Sequence, residues 1–147
     1  MRLYLDICAI QRPLDDASQL RVRLESEAVL GALKACGSGV VTLVASDVHL
    51  LEIRRNPHPK RRTFALEVLA LAPEILAFTQ AAAERARGFA SANITGPDAL
   101  HLAAAIEANA DYFCTTDDKL LRRSARVNTS PVAIVSPLDL ATVLDQL

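Results

Sequence analysis

The sequence predicts a three-layer α/β/α sandwich with a mainly parallel five-stranded sheet. Short apolar, β-prone runs alternate along the chain with longer segments of helical spacing, a pattern typical of folds built from β-α-β units. Residues 40–45 are almost continuously apolar, as expected for a parallel strand that is covered on both faces. The chain has 147 residues, of which 51% are hydrophobic, so it can bury a sizeable core. We expect residues 1–147 to form one domain.

The first part of the chain supplies two of the strands. Residues 3–5 form a minimal apolar strand, and a polar, proline-containing loop is predicted at 11–16. The apolar residues of segment 19–35 recur at helical spacing, and a Gly-Ser-Gly sequence ends that helix. Strand 40–45 is expected to lie at the sheet centre or next to it. Ser46 is then placed to cap the following helix.

The rest of the chain continues the alternation. Prolines at 57 and 59 interrupt the helix that follows Ser46, because proline cannot continue a helix. The remaining predicted elements are strands at 73–78, 112–115 and 132–135 and helices at 61–71, 79–90, 95–108, 119–126 and 137–147. Gly96-Pro97 forms a turn and the start of a helix, which places Asp98 in the first helical turn.

The composition excludes several classes of protein. Lysine and arginine total 16 against 17 aspartates and glutamates, so the net charge of −1 leaves no overall basic footprint for nucleic acid. Aromatic residues make up only 4% of the chain, which argues against a base-stacking reader of single strands. No apolar run approaches the roughly 18 residues of a membrane helix. A secretory signal is not expected either, because no basic and apolar leader opens the sequence.

The cysteines indicate a reducing compartment. Cys8, Cys36 and Cys114 show neither CxxC nor Cys/His ligand spacing. We interpret them as small buried apolar residues and expect a cytoplasmic protein.

Basic residues form two local clusters, each just downstream of an acid discussed below. The first cluster comprises Arg54, Arg55, Lys60, Arg61 and Arg62, and the second comprises Lys119, Arg122, Arg123 and Arg126. Either cluster taken alone is explained by a solvated helix face. The two together could position the phosphate backbone of a nucleic acid.

Four acids lie where such a fold places its ligands. Asp6 and Asp117 follow predicted strands, Asp98 begins a helix, and Glu52 lies on the inward stripe of the helix after the second strand. Crowded carboxylates repel each other unless a divalent cation neutralises them, and Mg²⁺ and Mn²⁺ select carboxylate ligands. The pattern therefore favours metal-assisted phosphoryl transfer to water.

Simpler explanations exist for two of these acids. Asp6 could be an ordinary helix cap, and Glu52 could form a salt bridge with Arg55 or Arg12. His101, three residues after Asp98, could lie near the site, and a surface or core histidine is the simpler interpretation. No phosphate-binding loop, dinucleotide fingerprint or nucleophile elbow offers a competing chemistry.

The sequence resembles the PIN-domain nucleases, especially the VapC-like toxins of type II toxin-antitoxin systems. The resemblance lies in four acidic blocks at 5–6, 46–52, 97–105 and 114–120, of which the third and fourth are the specific ones. It implies a Mg²⁺- or Mn²⁺-dependent endoribonuclease that forms a homodimer and is neutralised by an antitoxin. The catalytic and metal-binding residues that it implies are Asp6, Glu52, Asp98 and Asp117, with Thr115 as a supporting hydroxyl.

The sequence departs from the family pattern directly after the first acid. The family usually has Thr, Ser or Asn in the next two positions, and this chain has Ile7 and Cys8. Arg12 could replace the missing polar contact or bind a phosphate, whereas a salt bridge to Asp15 or Asp16 is the simpler interpretation. Arg12 and Arg55 are the candidate substrate-binding residues.

Two other functions remain open from the sequence. A catalytically weak PIN-like module could act by docking to RNA or protein, and the Ile7-Cys8 departure favours this alternative. A phosphate-accepting receiver domain also carries acids at strand ends. It requires an Asp after the third strand, where this chain has Thr79.

Overall fold

The N-terminal strand, β1 (Arg2–Leu5), is the central strand of the sheet. The protein is described by a computed structural model that covers all 147 residues. The other strands are β2 (Thr42–Ser46), β3 (Ile75–Leu76), β4 (Tyr112–Cys114) and β5 (Ala133–Val135). The helices are α1 (Ile7–Gln11), α2 (Leu20–Gly37), α3 (Asp47–Arg55), α4 (Pro59–Leu69), α5 (Gln80–Gly88), α6 (Gly96–Glu107), α7 (Asp118–Ser124) and α8 (Pro137–Leu144).

All five strands run parallel, in the order β3-β2-β1-β4-β5. The predicted α/β fold with a five-stranded sheet is therefore confirmed, and the strand predicted at 40–45 lies next to the centre as β2. Because every strand ends at the same edge, the residues that follow β1, β2 and β4 all emerge on one side of the sheet. That edge carries the candidate site.

Helices cover both faces of the sheet, as the alternation of side chains along the strands requires. Tyr4 and Phe113 face a core completed by the alanine-rich helices α5 and α6. Leu3, Leu5 and Leu43 point to the opposite face, where α1, α2, α4 and α8 cover them. The small side chains of α6 permit its close approach to the sheet, since the segment from Leu102 to Ile106 is buried throughout.

The largest difference from the predicted elements lies directly after β1. The apolar residues after Asp6 form the short helix α1, which was not predicted as a separate element. Asp6 caps this helix, because its carboxylate accepts a hydrogen bond from the Ile7 amide at 2.9 Å. Strand β3 is also shorter than predicted, since only Ile75 and Leu76 pair with β2. No helix combines the length and the apolar character that crossing a bilayer would demand.

Candidate metal centre

Asp6 is a buried carboxylate at the C-terminal end of the central strand. Its Oδ1 accepts the Ile7 amide, and its Oδ2 accepts the Thr115 hydroxyl at 2.8 Å. The Cys8 thiol lies 3.3 Å from the same Oδ2 and 3.3 Å from Thr115 Oγ1. Burial raises the pKa of Asp6, while the hydrogen bonds from Thr115 and Cys8 act in the opposite direction. The carboxylate is therefore fixed in orientation although it is taken out of water.

Thr115 joins Asp6 to Asp117, because β1 and β4 are neighbouring strands. Its hydroxyl donates to Asp6 and accepts the Asp117 amide at 3.1 Å. Asp117 caps α7, and its Oδ1 accepts the amides of Lys119 at 2.9 Å and Leu120 at 3.3 Å. Its Oδ2 makes no hydrogen bond within the protein and is free to bind a ligand.

Glu52 reaches the site from α3 and pairs with a histidine rather than an arginine. Its Oε2 lies 3.1 Å from His101 Nε2, across the contact between α3 and α6. One donor atom from each of Asp6, Glu52 and His101 lies within 4.8 Å of the other two. The predicted alternative, a salt bridge from Glu52 to Arg55 or Arg12, is wrong. The only ion-pair partner of Glu52 is His101, and Arg12 pairs with other acids.

Asp98 lies in the first turn of α6, and its pKa reflects both its burial and the charges of the other acids. The pKa of Asp98 is raised from 3.8 to about 6, chiefly by burial and then by the charges of Asp6, Asp117 and Glu52, in that order. Burial contributes most to this shift, and the charges of the other three acids add to it, which is the part that a bound divalent cation would offset.

We expect Asp98→Asn to stabilise the metal-free protein at pH 7 while weakening metal binding. Because the folded-state pKa of Asp98 is raised, ionising Asp98 costs stability progressively as the pH rises from about 4 to about 6. Above this window, the substitution should increase the free energy of unfolding by about 1 kcal/mol after allowance for solvent screening. Urea unfolding in EDTA at pH 4 and pH 7 measures the difference. Equal effects of the substitution at both pH values would contradict it.

Thr115→Val should weaken metal binding without unfolding the chain. Thr115 is fully buried, and valine keeps its shape but removes the bonds to Asp6 and Asp117. Loss of such a supporting contact lowers metal affinity or activity about 10- to 100-fold. Calorimetric titration with Mn²⁺ measures the loss, with Thr115→Ser as the matched control that keeps the hydroxyl. An affinity of Thr115→Val equal to that of Thr115→Ser would show that the hydroxyl is dispensable.

The two arginines predicted to contact substrate lie in different environments. Arg12 forms ion pairs with Asp15 at 2.9 Å and with the buried Glu25 at 3.2 Å. The simpler interpretation of Arg12, a salt bridge to Asp15, is therefore confirmed, and its guanidinium makes no bond to Asp6. Arg55, at the end of α3, is exposed and forms no ion pair.

Ile7 and Cys8 themselves supply polar contacts to Asp6, through a backbone amide and a thiol. The Ile7 backbone amide donates to Asp6 Oδ1, and the Cys8 thiol lies against the other carboxylate oxygen. Burial and the charge of Asp6 raise the pKa of the Cys8 thiol to about 12, so the thiol keeps its proton and can donate it.

Two residues beside the acids are not among the predicted site residues. His101 is fully buried, as a core histidine would be, but it also contacts Glu52. Tyr4 lies in the first strand, and its hydroxyl lies 2.7 Å from His101 Nδ1. The signal for His101 was its spacing of one helical turn from Asp98. No signal in the sequence pointed to Tyr4.

Comparisons with known proteins give one family. The family model described as PIN domain matches residues 16–126, a range that begins after Asp6 and includes Glu52, Asp98 and Asp117. The matching solved structures include "Crystal structure of VapBC2 from Rickettsia felis bound to a DNA fragment from their promoter". That chain is 16% identical with a TM-score of 0.59, and the match covers 92% of this chain and 99% of that one. No curated protein matches the sequence.

Proposed function

Because the chain belongs to the PIN domain family, we propose that it is a nuclease that hydrolyses RNA with Mg²⁺ or Mn²⁺. The observation that carries the proposal is the convergence of Asp6, Glu52, Asp98 and Asp117 at one edge of the sheet. The pKa of Asp98 is raised in part by the charges of the other three acids, as expected for a site whose charge is balanced by a cation.

The residues present fit a divalent cation. Carboxylate oxygens are the ligands that Mg²⁺ and Mn²⁺ prefer, and Asp117 Oδ2 makes no competing bond within the protein. Asp6, Asp98 and Asp117 would hold the ion, and Glu52 would bind it as well or orient the attacking water. When bound, a divalent cation supplies Lewis-acid activation of the phosphodiester and of water.

The chain's own residues hold these acids in place. Thr115 fixes Asp6 and the backbone of Asp117 through one hydroxyl. The amides at the start of α7 hold Asp117 Oδ1, so its carboxylate cannot rotate away. Preorganised carboxylates need no rearrangement at the moment of reaction, which is the main contribution that a protein makes to such catalysis.

We propose that exposed basic residues of α3, α4 and α7 position the RNA backbone. Arg54, Arg55 and Lys60 are exposed near the end of α3, and none of them forms an ion pair. Lys119 and Arg122 are exposed on α7, directly after Asp117. Cations without protein partners can bind phosphates and release counterions, so RNA binding should weaken as salt rises.

We further propose a role as a toxin that is neutralised by an antitoxin and acts as a cytoplasmic homodimer. The proposal is supported by the resemblance of the four acidic blocks to VapC-like toxins and by the fold shared with a chain of the VapBC2 structure. Expressing the chain alone and together with any small protein encoded beside its gene would test this role. Growth arrest that is relieved by the neighbour supports it, and unimpaired growth in both cases counts against it.

The activity itself is tested by incubating purified protein with end-labelled single-stranded RNA or DNA of the same sequence. The reactions contain EDTA, Mg²⁺ or Mn²⁺, and Asp98→Asn protein prepared identically controls for contaminating nucleases. The proposal predicts RNA cleavage that needs the metal and is lost in the variant. Identical products from wild type and Asp98→Asn would mean that the site is inert, and the alternative of a binding module would then replace the nuclease.

A further inference from the structure

His101 is a fully buried histidine that faces the carboxylates of the candidate metal centre, and the proposed function gives it no role. Its Nε2 lies 3.1 Å from Glu52 Oε2, and this nitrogen belongs to the group of donor atoms from Asp6, Glu52 and His101 that lie within 4.8 Å of one another. Glu52 is partly exposed, so the carboxylate that this nitrogen contacts is accessible to solvent.

The separation of these two atoms is that of two ligands on one ion. At metal–ligand bonds of about 2.1 Å, two ligands at right angles lie about 3.0 Å apart. The His101–Glu52 distance matches this value without any movement of either side chain. In the absence of an ion, the same distance is a hydrogen bond in which Nε2–H donates to the carboxylate.

The groups behind the imidazole accommodate both arrangements. The Tyr4 hydroxyl lies 2.7 Å from His101 Nδ1 and 2.9 Å from Ser46 Oγ. Without an ion, Ser46 donates to Tyr4, Tyr4 donates to Nδ1, and the proton on Nε2 faces Glu52. With an ion, Nδ1–H donates to Tyr4, Tyr4 donates to Ser46, and Nε2 presents its lone pair. A histidine that binds a metal generally donates its other N–H in this way.

We propose that His101 Nε2 is a ligand of the divalent cation, beside the carboxylates of Asp6 and Glu52. This inference rests on the proposed metal-dependent function and assigns to the site a nitrogen donor. Carboxylate and water ligands suit Mg²⁺ and Mn²⁺ alike, whereas an imidazole nitrogen suits a transition-metal ion and is a poor ligand for Mg²⁺. The ratio of Mn²⁺ to Mg²⁺ affinity at this site is therefore higher than at a site of four carboxylates alone.

The other two histidines do not compete for this role. His49 Nδ1 accepts the Ser46 amide at 3.1 Å, and its Nε2 lies 2.8 Å from the Leu5 carbonyl, so both ring nitrogens are occupied. His58 is exposed and precedes α4. A nitrogen signal from a metal at this site therefore reports on His101.

The direct test is pulsed electron paramagnetic resonance of the Mn²⁺-loaded wild-type protein, prepared with ¹⁴N-histidine or ¹⁵N-histidine. The inference predicts a histidine nitrogen coupling that changes with the isotope. Bound Mn²⁺ without such coupling would overturn the inference and leave the metal-dependent nuclease intact. Failure of wild type to bind Mn²⁺ at all would overturn both, so the two failures are distinguishable.

A matched variant tests the metal preference. His101→Gln replaces the nitrogen donor with an amide whose oxygen can still bind Mg²⁺. We expect the ratio of Mn²⁺ to Mg²⁺ affinity, measured by calorimetry, to fall about 10-fold in His101→Gln. Tyr4→Phe removes the hydroxyl that contacts both His101 Nδ1 and Ser46 Oγ but leaves Nε2 in place, so it should keep the nitrogen coupling while weakening Mn²⁺ binding. An unchanged affinity ratio in His101→Gln would contradict a direct bond from the imidazole.

Discussion

Asp6→Asn is expected to reduce metal-dependent RNA cleavage by at least about 1,000-fold, because a bound metal contributes several kcal/mol of transition-state stabilisation. Asp6 is the most constrained of the four acids, since Ile7, Cys8 and Thr115 all contact its carboxylate. Asparagine keeps the shape and the acceptor for the Ile7 amide, and it removes the charge that the ion requires.

The same substitution should not unfold the protein. Burial raises the pKa of Asp6, so ionising it costs stability in the metal-free state, and a neutral side chain removes that cost. Initial rates of RNA cleavage and urea unfolding in EDTA, compared with the exposed control Asp145→Asn, measure both effects. Full cleavage activity in a folded Asp6→Asn protein would place the catalytic site elsewhere.

His49→Leu should produce the largest loss of stability, about 3 kcal/mol, because it leaves two buried backbone groups without partners. His49 is fully buried, accepts the Ser46 amide and binds the Leu5 carbonyl. Its ring also stacks on Tyr4, with centroids 4.4 Å apart. Urea unfolding at pH 7.5 measures the loss.

The cost of His49→Leu should depend on pH in a defined direction. Burial, followed by the neighbouring His101, lowers the pKa of His49 from 6.5 to about 3. Between about pH 3 and pH 6.5, the unfolded chain binds a proton at His49 that the folded chain does not. The stability supplied by neutral His49 is therefore lost as the pH falls below 6.5. The wild type should lose about 2 kcal/mol relative to His49→Leu between pH 7.5 and pH 5. A constant difference between the two proteins would contradict the buried neutral state.

The edge of the sheet that carries the site was predictable from the sequence, because it follows from the positions of the acids relative to strand ends and helix starts. An acid after an apolar strand and an acid in the first turn of a helix both lie at the C-terminal edge of a parallel sheet, so Asp6, Asp98 and Asp117 could be grouped without coordinates. Thr115 was implied by the resemblance to the family. The parallel order of the strands and the adjacency of β1 and β4 agree with that grouping.

The partners of the acids were not predictable, because they depend on packing between distant segments. The contact between Glu52 and His101 joins residues 49 positions apart, and its geometry is set by the packing of α3 on α6. The role of His49 was hidden for a related reason. Its side chain accepts the amide of Ser46, a position where a capping sequence usually has Glu or Gln.

The central claim is that Asp6, Glu52, Asp98 and Asp117 together bind a divalent cation. Titration of the metal-free protein with Mn²⁺, with the free ion measured by its paramagnetic resonance signal, tests it directly. Wild type and Asp145→Asn should bind with the same affinity, and Asp98→Asn should lose more than the roughly 10- to 100-fold that loss of a supporting contact costs. Equal binding by all three proteins, or no binding by wild type, would contradict the claim.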